Sequence, residues 1–290
     1  MIQSQMSAEH ERGALYLVPT PIGNLEDMTM RALRILKEAD VIAAEDTRNT
    51  KRLCNYFEIE TPLTSYHDFN QEQGGEKLLH MLREGKTVAL VSDAGMPCIS
   101  DPGKDISMKA MAEGFAVVPL PGANAALTAL IGSGLPAQPF LFYGFLSRQK
   151  KERKESLEGL AKRHETIIFY EAPHRMKDTL KDMHAILGDR KIVLARELTK
   201  KFEEFLRGTI EEALEWANSS EIRGEFVVIV EGADESVIEE EVTWWSALSV
   251  VEHIEKLIEN GQSSKEAIKE VSKERKLPKR DVYQAYHVED

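Results

Sequence analysis

Ala14-Leu15-Tyr16-Leu17-Val18 is an apolar run that halts at Pro19-Thr20-Pro21-Ile22-Gly23-Asn24, and the segment beyond that turn decides the fold. Ala32, Leu33, Ile35, Leu36 and Ala39 recur at helical spacing, with Arg31, Arg34 and Lys37 on the other face and Thr29 placed as an N-cap. A short buried strand, a stiff turn and a one-faced helix make the start of a βαβ unit. Apolar runs at 41–44, 87–91 and 116–120, separated by amphipathic stretches, continue the rhythm.

A second block has the same pattern, with strands expected at 140–145, 166–170, 192–195, 205–208 and 226–230. The fold class is therefore α/β: two α/β domains with mixed sheets flanked by helices, residues 1–121 and 122–233. They meet where Gly, Pro and small residues crowd around a short helix at 124–131. Asp234, Glu235, Glu239, Glu240 and Glu241 then form a stretch too polar to pack, which reads as a linker. Residues 244–259, 263–273 and 279–286 read as three short helices, with Gly261 as a stop signal and Ser263 or Ser264 as the next N-cap, so 234–290 is expected to be a small helical module.

The 290 residues carry a formal net charge of −12, which excludes a protein that coats nucleic acid by overall charge and requires any RNA contact to be local. Two runs stand out against that background: Arg148, Lys150, Lys151, Arg153 and Lys154, and Lys273, Arg275, Lys276, Lys279 and Arg280. Together they favour a surface for a phosphate backbone. The only two cysteines, Cys54 and Cys98, form no CxxC pair, and there is no HExxH or tight Cys/His cluster, so neither a disulfide framework nor a metal site is expected. Residues 1–12 are polar, and no stretch is apolar enough to span a bilayer, so the expectation is a cytoplasmic protein with no membrane partner.

In an open α/β sheet, ligands bind beyond the carboxyl ends of the strands. Four stiff turns fall there: 19–24, 92–103, 121–124 and 171–175, each rich in Gly or Pro. Glycine admits a ligand close to the backbone and proline fixes φ, so turns of this kind converging at a sheet edge describe a preformed pocket. The Gly85-Lys86-Thr87 segment is no phosphate loop, because His80 stands in place of its first glycine and the segment precedes a strand.

Charged residues gather at the same strand ends: Glu45, Asp46, Arg48, Glu171, His174, Arg175, Arg196, Glu197 and Lys200. Arg48, Arg175 and Arg196 suit phosphate, because a guanidinium grips paired oxygens. A general base would be Glu171, Asp46, Glu197 or Lys200, and the residues alone do not choose among them.

The turn at 15–25, Ala44-Glu45-Asp46-Thr47-Arg48, the loop 92–103, Phe169-Tyr170-Glu171-Ala172-Pro173-His174-Arg175 and Ala195-Arg196-Glu197-Leu198-Thr199-Lys200 together resemble the rRNA-modifying members of the tetrapyrrole methylase superfamily, the class III methyltransferases. The resemblance covers nearly the whole chain, with Met96 standing where the family usually has Thr and Phe69 where it has His. It implies an S-adenosylmethionine-dependent methyltransferase acting on the 2′-oxygen of a cytidine in small-subunit (16S) rRNA, free or in the assembled subunit, and working as a homodimer. It further implies that Pro21, Asp93, Ala94, Gly95, Ile99, Gly122, Ala123, Tyr170, Ala172, Glu225 and Phe226 line the cofactor. Asp46, Arg48, Glu171, His174, Arg175, Arg196, Glu197 and Lys200, the charged residues at the strand ends, are the candidates to serve catalysis. Two other readings stay open: a small-molecule methylase of the same superfamily, which would not need the basic runs, and a non-catalytic RNA-binding ribosome assembly factor.

Overall fold

The structure, a computed structural model, describes residues 13–234, 245, 248–275 and 277–287. Residues through Gly232 form one compact unit and those from Ala233 onward a second. The expected linker residues 235–241, the first residue of the helix expected from Trp244, and Lys276 lie outside the described residues.

The first sheet contains β1 (Ala14–Leu17), β2 (Val41–Ala44), β3 (Leu63–Ser65), β4 (Thr87–Val91) and β5 (Ala116–Pro119). Their order is β3-β2-β4-β1-β5, and every pairing is parallel. A parallel sheet covered on both faces needs strands that are apolar throughout, which is why these runs do not alternate with polar residues. Val88 and Leu90 pack against Leu78, Leu82 and Ile106 from α3 (Gln71–Arg83) and α4 (Lys104–Ala112). Ala89 and Val91 face the opposite layer, with Ile35 and Leu36 from α1 (Met30–Glu38) and Cys54 from α2 (Thr47–Tyr56). Thr29 caps α1 through its side chain, as its position implied. The short edge strand β3 leaves no mark in the sequence, because three partly exposed residues after Pro62 carry no periodicity.

The helix expected at 124–131 is α5 (Ala125–Ser133), capped by Asn124. The second sheet contains β6 (Phe140–Phe145), β7 (Thr166–Glu171), β8 (Lys191–Arg196), β9 (Glu204–Thr209) and β10 (Phe226–Val230), in the order β6-β7-β10-β8-β9. Only β6 and β7 pair parallel, so this sheet is mixed. The helices α6 (Lys150–Leu160), α7 (Met176–Leu187) and α8 (Ile210–Ser219) bury one face of it, and α5 covers the other through Ala126, Ala129 and Leu130. Ile22, from the turn after β1, packs against that same second core.

The second unit contains α9 (Val250–Glu259), α10 (Ser264–Glu274) and α11 (Lys279–His287), packed on Ile254, Leu257, Ile268, Val271 and Val282. Among the described residues the first helix of this unit begins at Val250, where Ser249 and Glu252 close a capping box. The Arg275 guanidinium donates to the carbonyls of Trp245 and Leu248, at 2.9 and 2.6 Å, and the Leu248 N–H also donates to the Trp245 carbonyl at 3.0 Å. Ser263 caps α10 with Glu266 in the same manner.

Candidate active site

In the first sheet β1 and β4 are neighbours, yet α1 and α4, the helices that come after them, lie on opposite faces. Such a reversal opens a crevice at the strand ends. The turns after the two strands clasp there: Thr20 N–H donates to the Gly95 carbonyl at 2.9 Å and Gly95 N–H to the Thr20 carbonyl at 3.0 Å. The Thr20 hydroxyl adds a bond to the Ser92 carbonyl at 3.0 Å. Gly95 has φ +81°, a left-handed conformation that costs other residues energy. Gly122, in the turn after β5, lies against the Pro19 ring.

These loops and the strand ends of the second sheet enclose a cavity of about 500 Å³. Of the residues expected at the cofactor, Asp93, Ala94, Gly95, Ile99, Tyr170, Glu225 and Phe226 line it. Pro21, Gly122, Ala123 and Ala172 do not, although their neighbours Ile22, Asn124 and Glu171 do. Of the charged residues, Glu171, Glu197 and Lys200 are in the wall, as is Glu45, while Asp46, Arg48, His174, Arg175 and Arg196 are not. Asp101 and Phe145 also line the cavity and were not singled out from the sequence. Asp101 lies in the loop 92–103, whose acidic members could have been ranked by that position alone. Phe145, packed edge-on to Tyr170 at 5.5 Å, was signalled only as the end of an apolar strand.

The acidic residues separate by environment. Asp93 accepts the Asp46 N–H at 3.1 Å and the Asn49 amide at 3.1 Å, pinning the start of α2 to the cavity wall. Asp46 caps α2 and grips the Arg48 guanidinium, with the closest contact at 2.6 Å. The Arg48 hydrogen bonds hold the Asp46 carboxyl down to about 2, so it is a poor proton acceptor. Burial pushes the Glu45 carboxyl up, reinforced by the negative charges of Asp101 and Asp93, and its Oε2 is buried without a hydrogen-bond partner. Burial likewise pushes Asp101 up, against a hydrogen bond from Ser92 and with Asp93 adding to the rise.

Glu171 is 1% exposed, and both of its oxygens are occupied. Oε2 accepts the Thr179 hydroxyl, Oε1 accepts the Ala172 N–H at 2.9 Å, and the Arg175 Nε stands 3.2 Å from Oε1. Arg175 in turn donates to the carbonyls of Leu146 and Ser147, tying β7 to the turn after β6. Arg196 pairs with Glu204 on the neighbouring strand and lies over the rings of Trp216 and Phe226. His174 is exposed in the 3-10 turn 173–175.

Glu197 and Lys200 are different. Lys200 Nζ donates to Glu197 Oε1 at 3.0 Å, in a loop where Glu197 (φ +50°) and Thr199 (φ +65°) both adopt left-handed backbone. Such conformations persist in non-glycine residues only when their surroundings enforce them, and they gather at functional sites. Here the loop presses on the turn after β1: a Cβ on Gly23 would stand 2.7 Å from Lys200 Cγ. The pair thus reaches from the second sheet to the first across the cavity wall.

Comparison with known proteins agrees with this architecture. The sequence pattern of the tetrapyrrole (corrin/porphyrin) methylases matches residues 14–214. The chain is 60% identical over 290 residues to a Bacillus subtilis (strain 168) protein named ribosomal RNA small subunit methyltransferase I, with 99% of each chain covered. It is 58% identical over 287 residues to the protein of the same name from Halalkalibacterium halodurans, again with 99% of each covered. Among solved structures, a uroporphyrin-III C-methyltransferase from Thermus thermophilus, complexed with S-adenyl homocysteine, shares the fold at TM-score 0.54 and 22% identity, covering 76% of this chain and 97% of that one. The chain therefore belongs to the tetrapyrrole methylase family, in the branch of the ribosomal RNA small subunit methyltransferases I.

Proposed function

We propose that this protein transfers a methyl group from S-adenosylmethionine to the 2′-oxygen of a cytidine in small-subunit (16S) rRNA, in the cytoplasm, as a homodimer built from lobes 1–121 and 122–233 with the helical module 234–290 appended. The observation that carries the reading is the unpartnered, buried Glu45 Oε2 in the wall of a cavity that also holds Asp93, Asp101, Glu171, Glu197 and Glu225. A desolvated, acid-rich wall with a free acceptor fits a cationic ligand carrying an ammonium group and hydroxyls. A volume of about 500 Å³ suits a ligand of that size. The acceptor class comes from the relatives' names, since the fold alone serves many substrates.

S-adenosylmethionine supplies an electrophilic methyl carbon on a positively charged sulfur. The protein's task is alignment and removal of one proton. Asp93, Ala94, Gly95 and Glu225 would hold the cofactor, with Ile99, Tyr170 and Phe226 as its apolar walls. Glu171 keeps those walls in position through Thr179 and Arg175, and is itself too fully engaged to take a proton. Asp46 is held too acidic by Arg48. Of the remaining two, Lys200 donates from its Nζ to Glu197 and so acts as the cation that orients the carboxylate, and Glu197 accepts the ribose proton. The hydroxyl becomes strongly acidic as its oxygen gains a bond, so a carboxylate suffices as base. The exposed apolar residues Leu127 and Ile131 on α5 supply surface for the second copy.

The test is transfer of radiolabelled methyl to purified small subunits and to naked 16S rRNA, with mapping of the label. Label on one cytidine ribose is expected, and Gly95→Arg, which fills the cavity, is expected to abolish both labelling and cofactor binding by calorimetry. Cofactor binding without transfer to either RNA would return the protein to the small-molecule methylases.

A further inference from the structure

We infer that the exposed face of α2 is a docking ridge for the phosphate backbone of the substrate RNA beside the nucleotide being modified; the inference rests on the proposed rRNA-methyltransferase activity. The helix starts at the cavity, since Asp93 in the wall accepts both the Asp46 N–H and the Asn49 side-chain amide. Thr50 and Cys54 face the core, which fixes the register of the helix and turns Arg48, Lys51, Arg52, Asn55 and Tyr56 to solvent. Spaced i, i+3, i+4, i+7 and i+8, they form one stripe leading away from the cavity for about 12 Å, at 1.5 Å per residue.

Three properties separate this stripe from an ordinary solvated face. First, α2 contains three cations and no acid, in a chain of net charge −12. Second, neither Lys51 nor Arg52 forms an ion pair with a described residue, whereas the arginines at 153, 175 and 196 are all tied to carboxylates. Third, Arg48 sits in the first turn of the helix, where the dipole disfavours a cation, and is kept there by its grip on Asp46. Unneutralised cations next to a reaction cavity attract a polyanion, and Tyr56, 64% exposed at the far end, offers a flat ring on which an unstacked base can lie. The run at 148–154, one of the two basic runs read from the sequence, is partly neutralised in three dimensions, because Arg153 is buried against Asp182 and Lys151 and Lys154 approach carboxylates.

The test compares four full-length proteins: wild type, the α2 variant Lys51→Ala with Arg52→Ala, Arg52→Lys, and the α1 variant Arg31→Ala with Lys37→Ala, which removes the same charge elsewhere. Methyl transfer to small subunits is measured against RNA concentration at several salt concentrations, with cofactor affinity measured by calorimetry. For the α2 variant we expect KM for RNA to rise roughly tenfold or more, the slope of log KM against log salt to fall by about two (about one per lost phosphate contact), and cofactor affinity to hold. The α1 variant is expected to keep the wild-type slope. An α2 variant with wild-type KM and slope overturns the inference, as does an equal loss in the α1 variant or a loss confined to cofactor affinity. Failure of the wild type to label RNA instead overturns the activity on which the inference rests. Arg52→Lys, which keeps the charge, is expected to keep most of the wild-type slope, and its failure to do so overturns a phosphate role.

Discussion

Glu45 sits in the cavity wall with a raised carboxyl, and so does Asp101, which gives the site a pH dependence of defined sign. A carboxyl raised in the folded protein stabilises the free state fully below its ordinary value, and that contribution is lost as pH climbs through the raised one. A cationic cofactor beside these groups favours their ionised form and expels their protons. Affinity for S-adenosylmethionine should therefore rise from weakly acidic to neutral pH and then level off, with proton release on binding; calorimetry in buffers of different ionisation enthalpy measures both. Glu45→Gln should flatten the profile and lower affinity at neutral pH, and an unchanged profile would remove Glu45 from the ligand. The strand-end charges were legible in the sequence, but their division of labour was not. Whether a carboxylate caps a helix as Asp46 does, braces a strand as Glu171 does, or faces a cavity as Glu197 does depends on neighbours distant in the chain, such as Thr179 and Asp93.

At the scale of elements, the strands were readable almost to the residue, because double burial writes each parallel strand as an unbroken apolar run. What escaped was set by tertiary contact. The edge strand β3 is too short and exposed to leave a pattern, and the Arg275 bonds to the carbonyls of Trp245 and Leu248 span 27 residues or more of sequence that no local period records. The basic run at 148–154 is divided by tertiary contact in the same way. Arg153, 5% exposed, bonds Asp182 at 2.7 and 2.9 Å between α6 and α7, and is part of the fold. Removing one partner of such a pair strands a buried charge, so Asp182→Ala is expected to cost about 3–5 kcal/mol, while Arg153→Leu with Asp182→Leu should cost far less. Denaturant titrations of the two variants test this; equal losses would mean that packing, not charge, is what the pair provides.

For the molecule as a whole, the division into one compact unit through Gly232 and another from Ala233 has an experimental counterpart. Every residue of the cavity wall belongs to the first unit. Deleting residues 244–290 should therefore leave cofactor affinity intact and raise KM for rRNA, as read by calorimetry and by methyl transfer to small subunits. Unchanged KM would relieve the helical module of any part in RNA recognition. No helix among the described residues is long and apolar enough to cross a membrane.

The clasp between Thr20 and Gly95 is made of main-chain amides and carbonyls, so amino-acid replacement can neither delete its donors nor retune its acceptors without breaking the turn itself. Apolar side chains around the hollow can be exchanged while the clasp endures. A lineage acquiring a new acceptor molecule would then be expected to record the change at side chains such as Ile99 and Phe145, leaving the paired turns as the inherited signature of the ancestral trade.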